Sequence, residues 1–252
     1  MKTRTLLLAI LLLAAAASAY AADLPTAEEL QQKVAKAYAT MTSFEADIRV
    51  TFQPDATEGS ASQHLAMEKS AKGDKTVEKA SWSLKGTHKD DAGNVTTEEG
   101  KNVNDGTFSW EERRHEGEVQ VRKYVAEGPQ AFKLSEKLGR DAMRIWMQYN
   151  PKTVAEDTVD GRKMYVLEGA FDQTAINKAT KIQELKEKIW VGQDDSIVRR
   201  VVRTVRFADK DQPWVTTTEW LNMKVNEKVD PALFVYAPPE GAKIDDRTQP
   251  KP

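Results

Sequence analysis

The stretch Val225-Asn226-Glu227-Lys228-Val229-Asp230-Pro231-Ala232-Leu233-Phe234-Val235-Tyr236-Ala237-Pro238-Pro239-Glu240-Gly241-Ala242 decides how this chain is read. Asp230-Pro231 is a turn signal, because proline presets φ and the aspartate side chain can bond nearby amides. Leu233 to Tyr236 suits an extended strand, and Pro238-Pro239 ends it, since neither proline can donate to a ladder. Gly241 then permits a tight bend. A short strand fenced by a turn and a double proline is predicted to close a sheet.

Working outward, strand patterns fill most of the chain. Phe44, Ala46, Ile48, Val50 and Phe52 alternate with Glu45, Asp47, Arg49, Thr51 and Gln53, which predicts a strand with one apolar and one wetted face. Leu65 and Met67 in Ala61–Lys69, and Ala80, Trp82 and Leu84 in Val77–Lys85, continue the pattern. Asp90 to Asn94 is a turn, and Asn104-Asp105-Gly106 is another that leads into Phe108 and Trp110. His115 to Glu118 turns the chain into Val119 and Val121. Asp160-Gly161 is a hairpin signal before Met164–Leu167, and Lys188–Val191, Ile197–Phe207 and Trp214–Val225 complete the series. The Ile197–Phe207 run mixes arginine with aliphatics on both faces. Such arginines either pair with neighbouring acids or line a roomy interior.

Helices interrupt this pattern in a few places. Thr26 and Glu29 have capping-box spacing, and Leu30, Val34, Tyr38 and Met41 form one stripe of an opening helix. Pro129 to Asn150 reads as a loop and a helix, with Ser135 as cap and Asn150-Pro151 as stop. Its apolar arc of Leu138, Ala142, Trp146 and Tyr149, widened by Met143, Ile145 and Met147, fits either a plug in the core or a movable lid over a lipid-sized cavity. Asp172 to Glu187 is weakly amphipathic through Ile176, Ala179, Ile182 and Leu185 and is predicted to be a short inserted helix. The fold class is therefore mainly β with helices: about ten or eleven antiparallel strands, curled and covered by helices.

The first residues are an address. Lys2 and Arg4 precede an apolar run from Leu6 to Ala17, and Ala19-Tyr20-Ala21 fits a cleavage site, so residues 1–21 are predicted to be a signal peptide cleaved near Ala21. Residues 22–246 form one domain and 247–252 a flexible tail. The chain has no cysteine, which excludes disulfides, thiol nucleophiles and a lipidated N-terminal cysteine. Its net charge of −2 falls to −4 once Lys2 and Arg4 leave, a poor balance for nucleic acid or an anionic membrane surface. Catalytic and metal patterns do not assemble. His64, His88 and His115 sit in separate polar segments, no Gly-x-Ser-x-Gly elbow occurs, and no glycine-rich loop precedes a helix. Asp90-Asp91, Asp194-Asp195 and Asp245-Asp246 suit solvated turns, and Asn94-Val95-Thr96 is a bare glycosylation sequon. No catalytic residue, metal or cofactor is expected; a binding protein is.

Three segments carry a family resemblance. Met41-Thr42-Ser43-Phe44-Glu45-Ala46-Asp47 takes the opening helix into a strand. Asn102-Val103-Asn104-Asp105-Gly106-Thr107-Phe108-Ser109-Trp110 is similar to the "S-D-G-K-x-L-W" motif, and Val229 to Gly241 to the "D-x-x-x-F-x-F-x-P-P-x-G" ending, of the periplasmic outer-membrane lipoprotein carrier (LolA-like) family. That resemblance implies an incomplete, strongly curved antiparallel β-barrel under a helical lid, and a soluble periplasmic protein that shelters lipoprotein acyl chains or a similar lipid. It also implies an inner-membrane donor complex and an outer-membrane acceptor as partners, with a monomeric carrier between them. The arginine that helps hold the family's lid has no counterpart in Ser83–Asp90, so none is carried over. Candidate cavity residues are Ile48, Val50, Phe52, Trp82, Phe108, Trp110, Met143, Trp146 and Met147, each of which also suits a core position. A sensor or scaffold of the same fold, which recognises lipoproteins or envelope proteins without ferrying them, is the alternative; an exported enzyme with a scattered site is a third.

Overall fold

The structure, a computed structural model, describes residues 24–53, 60–89, 94–115, 118–127, 132–171 and 181–249. The segment assigned to a signal peptide lies outside the described residues. Helix α1, Ala27–Thr40, opens on the expected capping box: Glu29 N–H donates to Thr26 Oγ1 at 3.1 Å, and Thr26 N–H returns the bond to Glu29 Oε2 at 2.8 Å. The first meander then runs through β1 (Ser43–Gln53), β2 (Ser60–Lys72), β3 (Lys75–Lys89), β4 (Val95–Asn104), β5 (Phe108–His115) and β6 (Glu118–Val125). Helix α2, Leu134–Gln148, leads to a second meander of β7 (Lys152–Val159), β8 (Arg162–Ala170), β9 (Ile182–Gly192), β10 (Val198–Phe207) and β11 (Trp214–Val225). A last strand, β12 (Lys243–Asp246), ends the fold.

All the strands form one sheet in the order β12-β6-β5-β4-β3-β2-β1-β11-β10-β9-β8-β7. Among the described residues the sheet is 12-stranded and open, with β12 and β7 as its edges. Pairing of β1 with β11, the first strand of one meander with the last of the other, makes it continuous. Because α2 connects β6 to β7, the chain passes from one side of the sheet to the other over a single face.

Turn chemistry behaves as the residues dictate. Asp160 and Gly161 both take positive φ, 50° and 77°, the geometry a two-residue hairpin needs between right-twisted strands. Asp105 Oδ1 accepts from the N–H groups of Thr107 and Phe108, each at 2.7 Å, and Gly106 at φ 88° completes the β4–β5 turn.

Several expectations are corrected. Leu233–Tyr236 is no strand: Pro231–Phe234 is a 3-10 turn, capped where Asp230 Oδ1 accepts from Ala232 N–H at 2.9 Å. With a capping acid and proline at the first turn position, a helical turn outcompetes extension. The strand that does join the sheet is β12, and it pairs in parallel with β6 rather than antiparallel. Beyond it, Arg247 N–H donates to Lys123 O at 2.8 Å, so Arg247, assigned to the tail, is still bound to the sheet edge. Within Asp172–Glu187, Ile182 to Glu187 belong to β9; residues 172–180 lie outside the described residues. Spacing of Ile182 and Leu185 fits a helix, yet Leu185, Glu187, Ile189 and Val191 alternate on one strand face, paired with β10. Finally, Ser135 does not cap α2. Its N–H and hydroxyl instead donate to the Glu78 carboxylate of β3, which brings a negative charge to the helix N-terminus.

Candidate functional site

Register assigns each strand residue to one of two faces. On the helix face lie Phe44, Ala46, Ile48, Val50 and Phe52 of β1, with Leu65 and Met67 of β2, Ala80 and Trp82 of β3, and Thr216, Thr218 and Trp220 of β11. From β8 to β10 the same face presents Leu167, Ile189, Val191, Val198 and Val201. Helices α1 and α2 cover the middle of this surface. Leu30 and Val34 join Ala142, Ile145 and Tyr149 over β8–β10, while Leu134 and Leu138 pack with Met41 over β1–β3. The helices are tied to each other where Trp146 Nε1–H donates to Ala27 O at 2.8 Å. Among the described residues, neither is long and apolar enough to cross a membrane.

Among the described residues, neither helix packs on the end of the face where β10 turns into β11. There Phe52 is 41% exposed and Trp214 47% exposed, and Phe207 meets Trp214 edge-on with centroids 5.2 Å apart. Thr216 lies between them, paired across the sheet with Phe52 on one side and Arg203 on the other. An apolar strip thus emerges from beneath the helices and continues into the open.

A carboxylate is buried inside the seam. Glu187 of β9 is 1% exposed, and its Oε2 accepts from Arg144 Nη2 of α2 at 2.9 Å and from Arg203 Nε and Nη2 of β10 at 3.2 and 3.1 Å. Burial, more than these charges, pushes the neighbouring Tyr149 phenol above its ordinary range. The arginines of β10 are paired with acids, as one of the two sequence readings holds: Arg200 with Glu219, Arg203 with Glu187, and Arg206 with Glu184.

The opposite face carries a strap. After β11, Asn226 ties the chain to the α1–β1 junction, its Oδ1 accepting from Thr42 N–H at 2.8 Å. Val229, Leu233 and Phe234 then pack on Ala66 of β2. Tyr236 follows, with its ring centroid 5.3 Å from that of Trp110. Beside the strap runs a groove of about 670 Å³ whose lining includes Asp47, His64, Ser83 and Arg114 together with Leu84 and Leu221. Hydrogen bonds from Asn222 and then His64 hold the Asp47 carboxyl below the usual carboxylate range. Among the described residues no group of three His, Asp or Glu could hold a metal ion.

The nine candidate residues therefore divide. Ile48, Val50, Phe52 and Trp82 share the helix face, with Ile48 buried in its core and Trp82 Nε1–H donating to Gln63 Oε1 at 2.9 Å. Met143 and Trp146 pack against the helix-covered core, whereas Met147 is 72% exposed. Phe108 and Trp110 are on the strap face, because Trp110 pairs with Val103, Val103 with Ser81, and Ser81 with Ala66. They are removed from a cavity beneath the helices and instead hold Lys123, whose Nζ lies 3.8 Å from the Phe108 centroid and 5.0 Å from that of Trp110. Arg203 falls within the arginine-bearing run Ile197–Phe207 that the sequence marks for pairing with acids; Arg144 and Glu187 are not singled out, and an arginine within the apolar arc of α2 is the signal that marks the first of them.

No family model matches the chain, and no curated protein sequence does. Solved structures of similar fold include a LolA superfamily protein. That protein, from Nitrosomonas europaea, is 14% identical over 84% of this chain and 99% of its own, with a TM-score of 0.30. LprF from Mycobacterium bovis is 17% identical over 81% of this chain and 96% of its own, with a TM-score of 0.45. The Mycobacterium tuberculosis lipoprotein LppX is 11% identical over 81% and 98%, with a TM-score of 0.40.

Proposed function

We propose that this protein is a periplasmic carrier which shelters lipoprotein acyl chains, or a similar lipid, between its sheet and its helices and passes them towards the outer membrane. The observation that supports this reading is the helix–sheet seam, apolar on both walls and continuous with the strip exposed at Phe52 and Trp214. An acyl chain entering from that strip would displace α1 and α2 from the sheet and take over the surface they cover. Each buried methylene contributes about 0.8 kcal/mol, so a chain of lipid length offsets much of the helix contact it replaces. Transfer would need no covalent chemistry: the helices settle back as the cargo leaves. Phe52, Val50 and Ile48 would meet the chain from the sheet, and Met143 and Trp146 from α2. Phe108 and Trp110 have no part in it.

Native mass spectrometry of the protein purified from its own periplasm tests the reading. A co-purified lipid or acylated protein is the expected result. A protein that arrives empty and takes up no acyl chain when offered one would overturn it.

A further inference from the structure

We infer that Arg144 and Arg203 form a recognition site for the anionic head group, carboxylate or phosphate, of the amphiphile whose chain lies along the helix face. The inference rests on the acyl-binding reading above and adds to it the chemistry of the ligand's head. Two guanidiniums share one carboxylate at Glu187, so the cluster keeps one net positive charge within the helix–sheet seam. Glu187 is buried at 1%, but the Arg144 and Arg203 side chains stay 32% and 35% exposed, so their outer donors remain reachable. All three bonds converge on Oε2, and Arg144 Nε is shielded from water without a partner. The reachable donors are the exposed nitrogens of the two guanidiniums, and a second anion would accept from those. Planar guanidiniums suit this task, since carboxylate and phosphate oxygens accept from them in pairs.

Position agrees with charge. Arg203 is flanked along β10 by Val201 and Val205, and Thr216 beside it pairs in turn with Phe52. A head group on the two arginines would leave its chain lying on the exposed strip. Arg144 belongs to α2, so the same anion would touch helix and sheet at once before the chain displaces α2.

Dodecanoate, dodecyl phosphate and dodecanol share one chain length and differ in the head. Titrated calorimetrically into the purified protein, the anionic amphiphiles should bind at least about tenfold more tightly than dodecanol, the gain expected of charge-assisted hydrogen bonds. A preference shown by dodecanoate alone assigns a carboxylate head, and one shown by dodecyl phosphate alone a phosphate head; either supports the site. In Arg203→Gln the preference should shrink to less than about threefold. Equal binding of all three by the unaltered protein overturns the head-group site and leaves acyl binding standing. Binding of none overturns the acyl reading as well. Because the three-way comparison uses the unaltered chain, it decides the matter whether or not Arg203→Gln folds.

Discussion

Tyr236 Oη donates a hydrogen bond of 2.8 Å to Glu112 Oε2, joining the strap to the sheet it crosses. Glu112 is buried, and its other oxygen accepts from Arg114 Nε at 2.7 Å. Tyr236→Phe keeps the ring on Trp110 and removes only the donor. Such a loss beneath a covered carboxylate should cost about 1–3 kcal/mol in urea denaturation at neutral pH. An unchanged midpoint would mean that water replaces the phenol without penalty.

The same tyrosine sets an alkaline limit. Burial first, and then Glu112, push the Tyr236 phenol above its ordinary range, and burial pushes Tyr38 of α1 the same way. The unfolded chain therefore releases these protons first, near pH 10. Their contribution to stability is intact below that pH and is lost as pH rises through the higher folded values. Melting temperature should fall on going from pH 9 to 11, and less steeply in the double variant Tyr38→Phe/Tyr236→Phe. Parallel pH profiles for the two proteins would refute the assignment.

The Arg144–Glu187–Arg203 cluster separates two effects. Glu187→Ala leaves two arginines facing each other and should cost about 3–5 kcal/mol. Replacing all three by apolar residues of similar size, as in Arg144→Met/Glu187→Leu/Arg203→Met, should be neutral or stabilising by about 1–4 kcal/mol. Chemical denaturation of both variants makes the comparison. A triple variant as unstable as Glu187→Ala would show that the charges hold the seam together.

Gly169 of β8 lies under the C-terminal end of α2. A Cβ there would come within 2.6 Å of Tyr149 O and 2.8 Å of Tyr149 Cβ. Backbone, unlike a flexible side-chain tip, cannot yield cheaply, so Gly169→Ala should cost about 1–3 kcal/mol. Thermal unfolding checks it, and an unaltered melting temperature would mean that α2 rides loosely on the sheet.

Trp146 and Met147 are adjacent in sequence and opposite in consequence. Trp146 packs on the core and bonds to Ala27 O, so Trp146→Ala should cost about 3–5 kcal/mol. Met147 is mostly exposed, so Met147→Asp should stay within about 0.5 kcal/mol. Equal losses for the two in denaturant would place Met147 in the packing after all.

Most of the sheet was legible because a period of two survives in the residues themselves. Phe44 to Phe52 and Trp214 to Val225 were delimited as strands, and Asp160-Gly161 marked its hairpin. Alternation tells which residues share a face, but not which face that is. Phe108 and Trp110 were correctly grouped and wrongly sided, because their side is set by pairings carried through β2, β3 and β4. The strap misled for a related reason: Leu233 to Tyr236 has strand lettering, yet Asp230-Pro231 starts a turn and Phe234 is used to cover Ala66. Of the candidate site, the apolar wall from Ile48 to Phe52 could be read locally. Its charged cluster could not, since Glu187 meets Arg144 only after α2 has crossed the sheet.

The pairing of β1 with β11 has a kinetic meaning. Arg49 and Glu219, bonded at 2.7 Å across that seam, are 170 residues apart in the chain. During synthesis β1 has no neighbour on its β11 side until nearly the whole polypeptide has emerged, so an apolar strand edge waits unpaired while the second meander follows. The newborn protein is thus most prone to aggregate late in its synthesis, and β11 is the segment whose arrival ends that exposure.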